Sequence, residues 1–249
     1  MQTSFIRKQY VDAACTQSDI NLHVPTLRMY ASQCVDVVEM GAWAGVSTWG
    51  MLQGLVDAAK FEPGVPRSLT GIDSRVAPAP YLFTHVEDAP DIAIFFQEGD
   101  VLRVEGVTCD LLFIDTLHVY GQLKRELALH APGTRKFIIL HDTTVDATHG
   151  EALRVGWDPA ALAARTGIPV QEITTGLWPA VEEFLASHPE WKLRIRYTNN
   201  NGLTILERVS TAPSSGVAAV DGAVASDDAG VAKQAEERSP IGVKNYSCF

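Results

Sequence analysis

A chain of 249 residues, 46% hydrophobic and 20% charged, has the make-up of a globular protein able to bury a core: one α/β domain plus a tail. Its formal net charge of −10 excludes broad phosphate-backbone binding, which needs a basic face, so no nucleic-acid partner is expected. The cysteines (Cys15, Cys34, Cys109, Cys248) lack metal-like spacing and no apolar stretch is long enough to span a bilayer, so a soluble protein of the reducing cytoplasm, without a membrane partner, is expected.

In chain order, VDVVEMG (35–41) is β-branched, apolar and ends on glycine, as a buried strand does. Helical spacing follows from Ser47 to Lys60, with Ser47 or Thr48 as the expected N-cap. SLTGIDS (68–74), DIAIFFQEGD (91–100), CDLLFIDT (109–116) and TRKFIILHDT (134–143) supply four further strands, with a helix over 119–133 between the last two. Residues 144–176, rich in Gly and Pro with one helical patch (PAALAART), form an insertion expected to act as a lid or substrate loop. A helix at 177–188 precedes strands 191–199 and 203–208, which the NNG turn joins as an antiparallel hairpin. Residues 1–17 form an N-terminal extension, 18–208 the domain, and 209–249 a tail whose composition predicts disorder.

The first strand delivers Glu39, Gly41 and Gly45 and then a helix N-terminus, where glycines admit a ligand and free N–H groups face it. Taken alone, this turn suits a structural role as well as a ligand cradle. Asp73 ends the second strand and Gly99–Asp100 the third. The fourth and fifth end on Asp115-Thr116-Leu117-His118 and His141-Asp142-Thr143. In a doubly wound sheet, ligands bind outside the carboxyl ends of the strands. Two acids and two histidines gathered there point to chemistry rather than packing, because carboxylates are rarely buried unpaired. His23, His85, His149 and His188 lack that context and read as surface or loop residues.

The segments VVEMGAWAGVSTW, TGIDS, QEGD, LLFIDTLHVYGQLKRELALHAPG, FIILHDT, GLWPAVEEFL and NNNGLTILER together resemble class I S-adenosylmethionine-dependent methyltransferases. The likeness is to the cephalosporin hydroxylase-like and sugar O-methyltransferase branch. It implies a Rossmann-like, doubly wound, mostly parallel seven-stranded sheet ending in an antiparallel hairpin. It implies S-adenosylmethionine held by Glu39, Gly41, Ala42, Gly45, Ser47, Thr48, Asp73, Asp100 and Asp115, with Asp73 on the ribose and Asp100 near the adenine. In metal-dependent relatives the matching metal positions are Asp115, His141 and Asp142; a histidine there departs from the oxygen set magnesium prefers, so a softer divalent ion or none is implied.

The expected activity is O-methylation of a small hydroxylated acceptor such as a sugar or glycan end. The catalytic residues are His118 as general base, His141 as second choice, and Asp115 orienting the base or binding a metal. A nicotinamide oxidoreductase is the alternative enzyme, disfavoured by the absence of G-x-G-x-x-G. A non-catalytic methyltransferase-like binding module is the other. The acceptor and the oligomeric state, including a homo-oligomer, stay open.

Overall fold

The computed structural model describes residues 5–82, 85–86 and 89–209. The segment 210–249, for which composition predicts disorder, lies outside the described residues. Among the described residues, no helix is long and apolar enough to cross a membrane.

The first strand, β1 (Asp36–Met40), lies at the centre of the sheet because both of its faces are apolar. Val37 points to one side and Val38 and Met40 to the other, each into a separate buried cluster. Strand β2 (Arg67–Asp73) pairs parallel with one edge of β1, and β5 (Cys109–Ile114) pairs parallel with the other. Outward from β2 comes β4 (Ala89–Glu98), also parallel, and outward from β5 comes β6 (Thr134–His141). The hairpin of β7 (Trp191–Tyr197) and β8 (Leu203–Arg208) completes this end, with β8 antiparallel to both β6 and β7.

These seven strands are the expected doubly wound, mostly parallel sheet with its terminal hairpin. An eighth, the two-residue β3 (His85–Val86), pairs antiparallel with β4 at the opposite edge, giving the order β3-β4-β2-β1-β5-β6-β8-β7. So short a strand carries no periodicity to read. Strand β4 also begins two residues earlier, at Ala89, where it pairs with Val86 of β3, and ends at Glu98, where its register with β2 closes opposite Asp73.

One face of the sheet is covered by α1 (Phe5–Cys15), α2 (Val24–Ala31) and α3 (Val46–Phe61), the other by α4 (Tyr120–His130) and α8 (Trp178–Ser187). The 144–176 segment holds three short helices, α5 (Glu151–Val155), α6 (Pro159–Thr166) and α7 (Val170–Thr174). Ala152, Leu162, Ile168 and Ile173 close a small core of their own against Val119.

Helix α3 is buried nearly all round because it lies between the sheet and α2. Its N-cap is Gly45, in the left-handed region, and not Ser47 or Thr48 as the sequence suggests. Both hydroxyls are drawn instead to the buried carboxylate of Glu39. Gly50 and Gly54 occur mid-helix, where glycine is normally unfavourable. A Cβ on Gly54 would lie 2.4 Å from the Arg28 carbonyl oxygen and 2.8 Å from Ala31 Cβ, so both glycines let α2 approach closely. Gly54→Ala gains about 1 kcal/mol of helix propensity but overpacks rigid backbone at about 1–3 kcal/mol. Overpacking against a carbonyl prevails, so the variant is expected to show a lower Tm by calorimetry; an unchanged or higher Tm counts against this packing.

Candidate functional site

After β1 the chain crosses to β2 on one side, and after β5 to β6 on the other. The carboxyl ends of β1 and β5 therefore flank the crevice where the winding reverses, the place such sheets bind ligands. Gly41 and Asp115 line that crevice. The Asp115 N–H donates to the Met40 carbonyl at 2.8 Å. A Cβ on Gly41, whose φ is +82°, would stand 1.9 Å from the Asp115 carbonyl oxygen. Only glycine lets β1 turn away there. The Asp115 carboxylate keeps 21% of its surface exposed, while its neighbours are more deeply buried.

Around Asp115 the structure gathers His118, His141 and Asp142, the residues expected at the ends of β5 and β6. His118 Nε2 is 3.0 Å from Asp115 Oδ1, and Nδ1 is 2.8 Å from Asp142 Oδ2. Two further carboxylates, Asp146 and Glu151, stand 3.5 and 3.4 Å from Nδ1. The Asp142 contact is an ion contact without hydrogen-bond geometry, since His118 Nδ1 makes no hydrogen bond among the described residues. Despite burial, the surrounding carboxylates raise the His118 pKa well above the usual imidazole range and hold Asp115 well below the usual carboxylate range.

His141 occupies a different position. Nδ1 lies 3.3 Å from Asp115 Oδ1, and Nε2 lies 3.2 Å from the Asp19 carbonyl and 3.3 Å from that of Asn200. Acceptors on both nitrogens favour the charged ring, and Asp115 pushes its pKa up to about 9 against the opposing effect of burial. The residues whose donor atoms converge closely enough for one cation are Asp115, His118 and Asp142. His141 is not in that set, although its Nδ1 lies 3.3 Å from Asp115 Oδ1 and 3.4 Å from Asp142 Oδ1.

His23, read from sequence as a surface residue, is buried. Its Nε2 lies 2.9 Å from the Asn199 carbonyl and its ring centroid 6.0 Å from that of His141. His149 is exposed, as expected, and the side chain of His85 lies outside the described residues.

The cradle residues are separate from this cluster. Glu39 is fully buried and accepts hydrogen bonds from Ser47, from Thr48 at 2.6 Å and from Tyr81 at 2.5 Å; burial nevertheless pushes its pKa up to about 7. Gly45 (φ +78°) sits beneath Pro80. Ala42 and Trp43 donate their N–H groups to Asp73. Asp100 is not drawn into either group: its carboxylate accepts the Leu102 N–H at 3.0 Å and pairs with Arg103, closing a local turn.

Three residues that sequence reasoning missed complete the edge. Asp146 is wholly buried and held by Arg154 through two hydrogen bonds of 2.6 and 2.7 Å, while Glu151 accepts the His118 N–H. They belong to the insertion, where no periodic pattern flags them; the acid-rich spacing Asp146, Glu151, Arg154 is the only signal. Behind His118, a small cavity is lined by Thr116, Leu117, His118, Leu123, Glu126, His141 and Leu177. Glu126 is fully buried there. It accepts from Thr116 at 2.6 Å and Gln122 at 2.7 Å through Oε1, and Oε2 makes no hydrogen bond among the described residues.

No protein-family model matches the chain, and no curated protein matches it. Among solved structures, the SAH-bound methyltransferase PaMTH1 of Podospora anserina aligns over 82% of this chain and 87% of its own, at 13% identity and a TM-score of 0.47. The O-methyltransferase TomG of Streptomyces achromogenes, in complex with SAM and involved in tomaymycin synthesis, aligns over 84% and 91% at 14% identity and 0.45. An SAH-bound O-methyltransferase from Bacillus cereus aligns over 84% and 92%, also at 14% and 0.45.

Burial pushes the Glu126 carboxyl up to about 7 from 4.5. Between those values the unfolded chain has released the proton and the folded chain keeps it, so raising the pH across that window favours unfolding. Glu39 acts in the same direction. Glu126→Gln is expected to make the fall in Tm between about pH 4.5 and 7 shallower in calorimetry; an unaltered slope would refute the assignment.

Proposed function

We propose that the chain is an S-adenosylmethionine-dependent methyltransferase acting on the hydroxyl of a small acceptor, a sugar or glycan end being the first to test. The observation that carries this reading is the partly open Asp115 carboxylate at the crevice between β1 and β5. Four carboxylates (Asp115, Asp142, Asp146, Glu151) gather here around His118 and His141, with Arg154 as the one guanidinium among them. The remaining negative charge suits a ligand bearing an ammonium and a sulfonium. A dinucleotide phosphate would meet repulsion there. Gly41, with its positive φ, keeps the turn beside Asp115 free of a side chain.

When bound, the cofactor supplies the electrophilic methyl group. The chain's own residues place the acceptor and take its proton. Asp115 and Asp142 flank the two nitrogens of the His118 ring, and the neutral form of that imidazole is the acceptor for the substrate hydroxyl's proton. Glu151 and Asp146, clamped by Arg154, keep the ring in place from the insertion side.

Calorimetry with S-adenosylhomocysteine is expected to detect binding that Asp115→Asn weakens about tenfold or more, the scale of a lost charge-assisted contact. His118→Ala is expected to lower kcat by about 10²–10⁴ with little change in cofactor affinity. No binding at millimolar concentration overturns the reading.

A divalent cation fits the same residues, because Asp115, His118 and Asp142 offer one nitrogen and two carboxylate donors within reach of one another. That set suits manganese, iron or zinc better than magnesium, and the ion would polarise the acceptor oxygen. If metal is used, chelator-treated protein loses turnover and regains it on adding one of these ions; turnover untouched by chelation rules it out.

A further inference from the structure

Strands β2 and β4 run parallel, and such a step usually carries an α-helix back across the sheet. Among the described residues between them there is none: the connection holds a short 3-10 helix, Ala79–Leu82, and the two residues of β3. That short helix returns to the cradle. Pro80 lies over Gly45, and Tyr81 beside it is buried, its hydroxyl donating to Oε2 of Glu39 at 2.5 Å.

The sheet is shaped to receive the ring. Gly71 stands opposite Glu39 in the pairing of β1 with β2, and a Cβ there would lie 2.7 and 2.8 Å from the two Cε carbons of Tyr81. Phe96 of β4 backs the ring, with centroids 5.3 Å apart. Burial and the neighbouring Glu39 raise the pKa of the phenol, so its hydroxyl stays a donor. Oε2 of Glu39 accepts from Thr48 and from Tyr81, which fills both of its lone pairs, while Oε1 accepts from Ser47. One carboxylate of β1 thus ties together the first turn of α3 and the β2–β4 connection.

We propose that Tyr81 is a positioning residue of the cofactor cradle: its hydroxyl fixes the Glu39 carboxylate, which in turn holds Ser47 and Thr48, and with them the first turn of α3, beside the Gly41–Gly45 turn. A cradle ordered before its ligand arrives binds more tightly than one the ligand must order. The cofactor half of this statement rests on the reading above; the contact with Glu39 does not.

The test uses Tyr81→Phe, Glu39→Gln and the double variant in the full chain, with S-adenosylhomocysteine as the probe. Phenylalanine keeps the ring against Gly71 and Phe96 and removes only the hydroxyl. Calorimetric affinity is expected to fall about tenfold in Tyr81→Phe, but by no more than about twofold when the same change is made in Glu39→Gln. Unchanged affinity in Tyr81→Phe, or an equal loss in both backgrounds, overturns the proposal. In fluorine NMR of protein carrying fluorotyrosine, the Tyr81 signal is identified by its loss in Tyr81→Phe. It is expected to move in ligand-free Glu39→Gln, and a signal that stays in place overturns the contact. If the wild type does not bind the probe, the cofactor reading fails, and the fluorine shift alone decides the contact. Should Glu39→Gln not fold, Thr48→Val, which removes the other donor to Oε2, takes its place in the NMR comparison with the same two outcomes.

Discussion

At the end of β5, one residue meets several incompatible demands. The Asp115 backbone must close against Met40 and Gly41 to finish the pairing of β1 with β5. Its carboxylate must stand at the edge of the interior, where an unpaired charge is costly. The chain meets both by bringing His118 from the same turn and His141 from the neighbouring strand to its Oδ1. Asp142, Asp146 and Glu151 in turn surround the His118 ring. The network follows from placing one charge at a buried strand end.

The same logic separates the edge into two halves. On the β5–β6 side, charges are paired with charges. On the β1–β2 side, carboxylates are paired with neutral donors: hydroxyls for Glu39, backbone amides for Asp73. Neutral donors satisfy lone pairs but leave the desolvation of the charge largely uncompensated, and the raised Glu39 pKa reflects it. The ionic half therefore has charge to exchange with a ligand, while the other half is shape.

Much of this was legible in the sequence because it depends on local pattern. Strand β8 and helix α6 have the boundaries that the runs LTILER and PAALAART suggest, and the convergence of Asp115, His118, His141 and Asp142 follows from strand ends in a parallel sheet. What was not legible depends on partners far along the chain. The N-cap of α3 went to Gly45 because Glu39 competes for Ser47 and Thr48. His23 is buried because the hairpin turn at Asn199 folds over it, and nothing near residue 23 announces that. Asp146 and Glu151 look like ordinary loop acids until the fold carries them to His118.

The 144–176 insertion joins β6 to α8. Segments of this kind are natural candidates for grafting, since a scaffold keeps its core when a surface loop is replaced. Here the graft would not be clean. Helix α5 begins at Glu151, whose carboxylate receives the His118 amide, and Asp146 is buried against the same imidazole. Replacing 144–176 by a foreign loop would alter the charge balance around His118 along with the surface. A new surface and a new charge balance are therefore inherited together, and a recombined protein must carry Asp146, Glu151 and Arg154 over with its new loop to keep them apart.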